Sequence, residues 1–169
     1  MERTIHEERL SAKTFGVVIF IVDDALQVYV SQELESKPET GKVPGKFGVV
    51  SETSDPGEGP YVTMERGIRE ETRIYDDDLL KVIDHDTYKI WETQFIEGVW
   101  ATVFVIRCKN SVEFMRFVDE NRLPENNHVK NEVKPIGFMS RTEFEALDLR
   151  SGVKNIMNKF GDDIFGPKK

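Results

Sequence analysis

The longest apolar run in the chain lies within TFGVVIFIV, Thr14 to Val22, and its β-branched and aromatic residues are those of a strand. The uninterrupted apolar part, Phe15 to Val22, is eight residues long, far below the roughly 20 needed to cross a bilayer. Asp23 and Asp24 break the run, and an alternating segment, LQVYVSQ, follows from Leu26 to Gln32. The two segments read as an antiparallel hairpin. At 169 residues and 38% hydrophobic, the chain holds one core in two or three layers and is too short for two comfortable domains. One domain over 1–169 is expected, with its core at about 14–147 and a C-terminal helix at 150–164.

Glu33 to Lys46 is polar and carries Pro38, Gly41, Pro44 and Gly45, so it reads as a surface loop. FGVVS, Phe47 to Ser51, is a short strand, SDPGEGP a dense turn, and Tyr61 to Ile74 a helix. The acidic run Asp76 to Asp78 reads as a solvated turn or a helix N-cap. LLKVIDHDTYKIWETQFI and VWATVFVIRC then read as two or three strands. Within them, Asp84, His85 and Asp86 project to alternate faces of a strand and do not meet one ion. The single cysteine, Cys108, reads as a buried strand residue, and alone it excludes an internal disulfide or a multi-cysteine zinc site. SVEFMRFVDEN, Ser111 to Asn121, is a helix with an apolar stripe; LPENNHVKNEV is a polar loop, VKPIGFMS a strand and Arg141 to Leu147 a short helix. The closing helix carries Val153, Ile156 and Met157 at core-facing spacing. Strands and helices interleave irregularly, with more strand than helix in the first hundred residues, which points to an α+β fold with a mixed sheet between helices.

The net charge of −8, from 31 acidic and 23 basic residues, argues against a surface that neutralises duplex phosphates. Small phosphorylated ligands remain open, because divalent ions bridge carboxylates to phosphate oxygens. The charged N-terminus MERTIHEERL does not read as a signal peptide, so a soluble, cytoplasmic protein without membrane contact is expected.

The stretch GEGPYVTMERGIREET, Gly57 to Thr72, concentrates the chemistry. On a helix, residues 67, 70 and 71 share a face, and Arg66 lies one turn before Glu70. A strand enters a Gly/Pro/Asp turn bearing Glu58, so a third carboxylate converges on the helix start together with free backbone groups. The spacing Glu58, seven residues, Arg66, then Ile68, Glu70, Glu71 and Ile74 resembles the signature of the Nudix hydrolases. That signature runs Gly, five residues, Glu, seven residues, Arg-Glu-apolar-x-Glu-Glu-x-Gly-apolar. The flanking hairpin, the segment GKFGVVSETSDPGE and the segment NEVKPIGFMSRTEFEAL are similar to the same family, so the likeness spans roughly 14–147.

The resemblance implies a Nudix-like α/β/α sandwich and Mg²⁺- or Mn²⁺-dependent hydrolysis of a nucleoside diphosphate linked to another moiety. It implies that Glu58 and Arg66 form a structural pair and that Glu70 and Glu71 bind metal, with Glu71 and Arg66 serving the chemistry. Gly57, Glu58 and Phe47 are the expected substrate contacts, and Tyr88, Trp91 and Trp100 are further aromatics for stacking on a base or filling the core. A homodimer through exposed strands and the segment Asn110 to His128 is open.

Three positions depart from the signature: Glu52 stands at its first glycine, Gly67 at the glutamate after the arginine, and Arg73 at its late glycine. Gly67 removes one carboxylate of the expected metal cluster, and reads either as close packing against a neighbouring strand or as lost catalysis. Glu132, before the closing strand, is the favoured replacement acid, with Glu52 second and His128 weaker. The rival to an enzyme is a catalytically impaired module of the same fold that binds a nucleotide or regulates.

Overall fold

The computed structural model describes residues 4–124 and 131–168. Among the described residues seven strands form one mixed sheet, with helices on both faces. After helix α1 (Ile5–Ser11) come β1 (Thr14–Asp23) and β2 (Val28–Glu33), then a 3-10 turn at Pro38–Thr40, β3 (Phe47–Gly48) and β4 (Val50–Thr53). Next are α2 (Pro60–Thr72), α3 (Asp76–Val82), β5 (Ile83–Ile96), β6 (Val99–Cys108) and α4 (Ser111–Asn121). The chain closes with β7 (Val133–Met139), α5 (Arg141–Glu145) and α6 (Ser151–Phe165).

β1 is the hub. It runs parallel to β6 from Thr14–Val99 to Asp23–Cys108, and from Val17 onward its residues are buried on both faces of the sheet. The expected hairpin with β2 is present, but its one registered pair is Val22–Val28. Beyond it the strands part: β1 takes β4 as an antiparallel neighbour from Ile19–Val50 to Gly16–Thr53, while β2 takes β3 and β7. The divergence makes a fork in the sheet.

Alternation along β1 sorts the cores. Val17, Ile19 and Ile21 face α2, α3 and α4, meeting Met64, Ile68, Leu79 and Phe114. Val18, Phe20 and Val22 face α5 and α6, meeting Phe144, Val153 and Ile156. Each face is a closed apolar layer, which is the expected α/β/α sandwich. Cys108 is buried at the end of β6, and burial pushes its thiol up to about 11.

Two readings of the local sequence are corrected. Leu79 to Val82, expected as extended chain, completes α3: Leu79 and Val82 are three apart and both buried, while Asp76 to Asp78 occupy the first turn where the helix dipole favours acids. The N-terminal segment holds an unforeseen helix, α1, started by a capping box between Thr4 and Glu7; it buries no residue, so it had no apolar stripe to read. No described helix is long and apolar enough to cross a membrane.

Candidate functional site

β4, the Ser54–Gly59 turn and α2 bring the motif residues together. Pro60 opens the helix at its first position, where the missing N–H costs nothing, with Gly59 as N-cap. The helix ends with Arg73 in left-handed conformation at φ 59°, so the place where the signature has glycine keeps a glycine-like geometry in a residue that pays about 1 kcal/mol for it. The Asn121 side chain donates to the Arg73 carbonyl at 2.8 Å and anchors that end.

Arg66 holds the loop to the helix. Its Nη2 donates to Glu58 Oε1 at 2.8 Å and its Nε to Oε2 at 3.2 Å, a two-pronged pair. The same Nη2 donates to the Thr53 carbonyl at 2.7 Å, tying in the end of β4. Glu58 also accepts from the Thr63 hydroxyl at 2.7 Å and the Asp55 amide at 3.2 Å. The Arg66 and Thr63 bonds pull the Glu58 carboxyl down to about 2. Beside it, Gly57 makes the turn at φ 79°.

On its other side Arg66 Nη1 lies 3.4 Å from Glu52 Oε1 and 3.5 Å from Glu70 Oε2. Partial burial, then hydrogen bonding to Glu52, raise the Glu70 carboxyl, and the charges of Glu52 and Glu132 add to the shift. Glu71 is only 7% exposed. Its Oε1 accepts the Ser51 amide at 3.2 Å, and Oε2 has no partner among the described residues. Burial drives its carboxyl up to about 8, against the pull of Lys42. Gly67 is packed against β4, one of the two readings of that glycine: a Cβ on it would lie 2.9 Å from Glu52 Cβ.

Glu132 lies away from the bonded cluster. It is exposed, 4.0 Å from Lys42 Nζ, and reaches Glu70 through its charge. Phe47 is packed into the second core and bridges to Leu149 rather than joining the acidic cluster. Trp91 stacks on Phe160 at 5.3 Å, and Trp100 is buried, whereas Tyr88 is partly exposed and hydrogen-bonds the Tyr61 hydroxyl at 3.1 Å at the start of α2. Asp84 is 3.8 Å from Arg107, an ion pair on the sheet. His128 lies outside the described residues.

The sequence reading missed Arg150, which fills the fork. It is 2% exposed, and its Nη1 bonds Ser51 Oγ on β4 at 2.7 Å and Glu33 Oε1 on β2 at 3.2 Å. Nη2 donates to the Thr40 carbonyl at 2.9 Å, and the guanidinium lies 5.1 Å from the Phe95 ring centre. Arg150 and Lys42, with Ser51, Glu52, Thr53 and Phe95, border a small recess at the fork. An arginine at a helix start gives no sequence signal of such burial.

No protein-family model matches the sequence, and no curated protein matches it. In three dimensions the chain is similar to the bifunctional NMN adenylyltransferase/ADP ribose pyrophosphatase from Francisella tularensis, at 14% identity and a TM-score of 0.56 over 91% of this chain and 42% of that one. The Francisella protein is also solved in complex with AMP and a manganese ion. A Nudix hydrolase from M. smegmatis, RenU, matches at 11% identity and a TM-score of 0.55, over 90% of this chain and 85% of that one. An Ap4A hydrolase from C. elegans matches at 14% identity and a TM-score of 0.52, over 92% and 100% respectively. The chain has the Nudix fold.

Proposed function

We propose that the chain is a Mg²⁺- or Mn²⁺-dependent hydrolase of diphosphate linkages, acting on a nucleoside diphosphate joined to another moiety. The observation that carries this reading is the gathering of Glu52, Glu58 and Glu70 around the single guanidinium of Arg66, with Glu71 next on the helix. Glu58 is satisfied by its own hydrogen bonds; Glu52 and Glu70 share the remaining edge of Arg66 and crowd each other.

The residues fit a divalent ion. Glu52 and Glu70 are hard oxygen donors with excess negative charge, and Glu71 keeps an unpartnered carboxylate oxygen. Among the described residues no three acidic, histidine or cysteine side chains already stand as a chelating group, so waters and substrate oxygens would complete the shell. When bound, the ion would neutralise phosphate oxygens as water attacks phosphorus.

The protein groups have separable roles. The Glu58–Arg66 clasp fixes the loop containing Gly57 against α2, which sets where the diphosphate can lie. Glu71, on the helix, and Glu132, on the opposite loop, are the candidates to take a proton from water. Arg66 spreads positive charge over the cluster.

The test is hydrolysis of a panel of nucleoside diphosphate derivatives with Mg²⁺ or Mn²⁺, comparing the parent protein with Glu71→Gln and Glu132→Gln. Turnover lost in Glu71→Gln supports the reading, and loss in Glu132→Gln assigns the second acid. Gly67 favours one other reading, a module that binds without turnover, because α2 carries no acid there. Tight binding with no hydrolysis across the panel would decide for it.

A further inference from the structure

We infer that Glu52 and Gly67 are a matched exchange: the acid that α2 lacks at residue 67 is delivered from β4, through the space the glycine leaves, to sit beside Glu70. This rests on the metal-dependent hydrolysis proposed above, and it names the residue that completes the cation seat.

Glu52 pairs with Val17 on β1 and faces the same side of the sheet as Val50, toward α2. A Cβ at residue 67 would stand 2.9 Å from Glu52 Cβ and 3.7 Å from its Cγ, with Ile19 Cδ1 next at 3.8 Å. Side chains at 52 and 67 therefore exclude each other in the present backbone. On the other face of the same strand pair, a Cβ on Gly16 would meet the Glu52 carbonyl oxygen at 2.6 Å, so β1 and β4 lie close at this point. The Glu52 side chain occupies the space over Gly67, and its carboxylate emerges at Arg66 and Glu70 rather than in open solvent.

Nothing in a helix interior favours glycine for its own sake, since it lowers helix propensity. Its use at 67 is explained by what it admits. The carboxylate comes in on a strand, whose backbone is held by ladder bonds to β1, while Glu70 comes from the helix. The seat therefore spans the strand–helix interface. Glu71, one residue on along the helix, is held to the same strand through the Ser51 amide at 3.2 Å, so β4 and α2 are locked together on both sides of this contact.

The exchange makes two positions non-additive, and four variants test it by Mn²⁺ titration, followed by electron paramagnetic resonance of the free ion, and by thermal melting of the metal-free protein. Glu52→Gln keeps the packing, so the melting temperature should hold while Mn²⁺ affinity falls about tenfold or more. Glu52→Gly should lose affinity similarly. Gly67→Glu alone should melt lower, from crowding against Glu52. The double variant Glu52→Gly with Gly67→Glu should recover both melting temperature and Mn²⁺ affinity toward the parent. The inference is overturned if Glu52→Gln and Glu52→Gly bind Mn²⁺ like a parent protein that both binds the ion and turns over substrate, or if the double variant behaves as the sum of its parts. A parent that neither binds Mn²⁺ nor hydrolyses any member of the panel overturns the proposed function itself.

Discussion

Glu71 accepts the Ser51 amide at 3.2 Å and buries its second carboxylate oxygen without a partner. Helix α2 is thereby docked on β4 through an acid that burial disfavours in its charged form. The folded-state value of about 8 lies above the ordinary 4.5, so between those limits the native protein retains a proton that the unfolded chain has released. The contribution to stability is full below about 4.5 and is lost as pH rises through about 8. Melting of the protein in chelator should therefore decline from pH 5 to pH 9, and Glu71→Gln should flatten the curve. Added Mg²⁺ at the alkaline end should stabilise the parent more than Glu71→Gln.

Glu58 has the opposite sign. Its carboxyl is held at about 2 by Arg66 and Thr63, so its contribution is present above about 4.5 and disappears as pH falls toward 2. Acid unfolding followed by circular dichroism should begin at higher pH in Arg66→Ala than in the parent. Arg66→Lys should not restore hydrolysis, because one ammonium cannot serve Glu58, the Thr53 carbonyl, Glu52 and Glu70 together; a loss of about tenfold or more in kcat is expected.

Arg150 is the cation at the fork, and its removal would leave Glu33 buried and charged with one oxygen already unpartnered. Burial raises the Glu33 carboxyl and lowers the Arg150 guanidinium, each opposed by the attraction of the other. Arg150→Ala should cost about 3–5 kcal/mol by urea unfolding. Arg150→Ala combined with Glu33→Gln should recover part of that loss, since the stranded charge is gone.

Gly152, in the first turn of α6, has no room for a side chain: a Cβ would collide with the Phe95 ring. Gly152→Ala should destabilise by about 1–3 kcal/mol despite its better helix propensity. Pairing it with Phe95→Leu should relieve the clash, and melting of the pair checks the cause.

The parts of this architecture legible in the sequence are those written in local periodicity. β1, α2, α4 and α6 each carry an apolar pattern long enough to assign, and the Glu58–Arg66 pair, which the resemblance implied, is present. LLKV was ambiguous because a short apolar run fits either an i, i+3 helical pair or a strand. The Glu52–Gly67 contact was not readable, since it depends on how closely β4 and α2 approach. Nor was Arg150, whose three partners come from β2, β4 and the turn at Thr40. Sequence reasoning set Glu132 before Glu52, and the geometry brings Glu52 into the bonded cluster while Glu132 remains an exposed neighbour.

The long parallel ladder between β1 and β6 also sets an order of events during synthesis. β1 can gather β2 and β4 early, but the sheet is joined to β6 only after Val99 to Cys108 has been made. The layer beneath α2 draws Phe104 and Ile106 from that late strand, so the acidic helix has an incomplete floor until then. Closing so wide a loop is slow relative to forming helices or hairpins. The cation seat is therefore among the last features of the nascent chain to be assembled, and a ribosome-bound fragment ending before β6 should contain every motif acid and still bind no Mn²⁺.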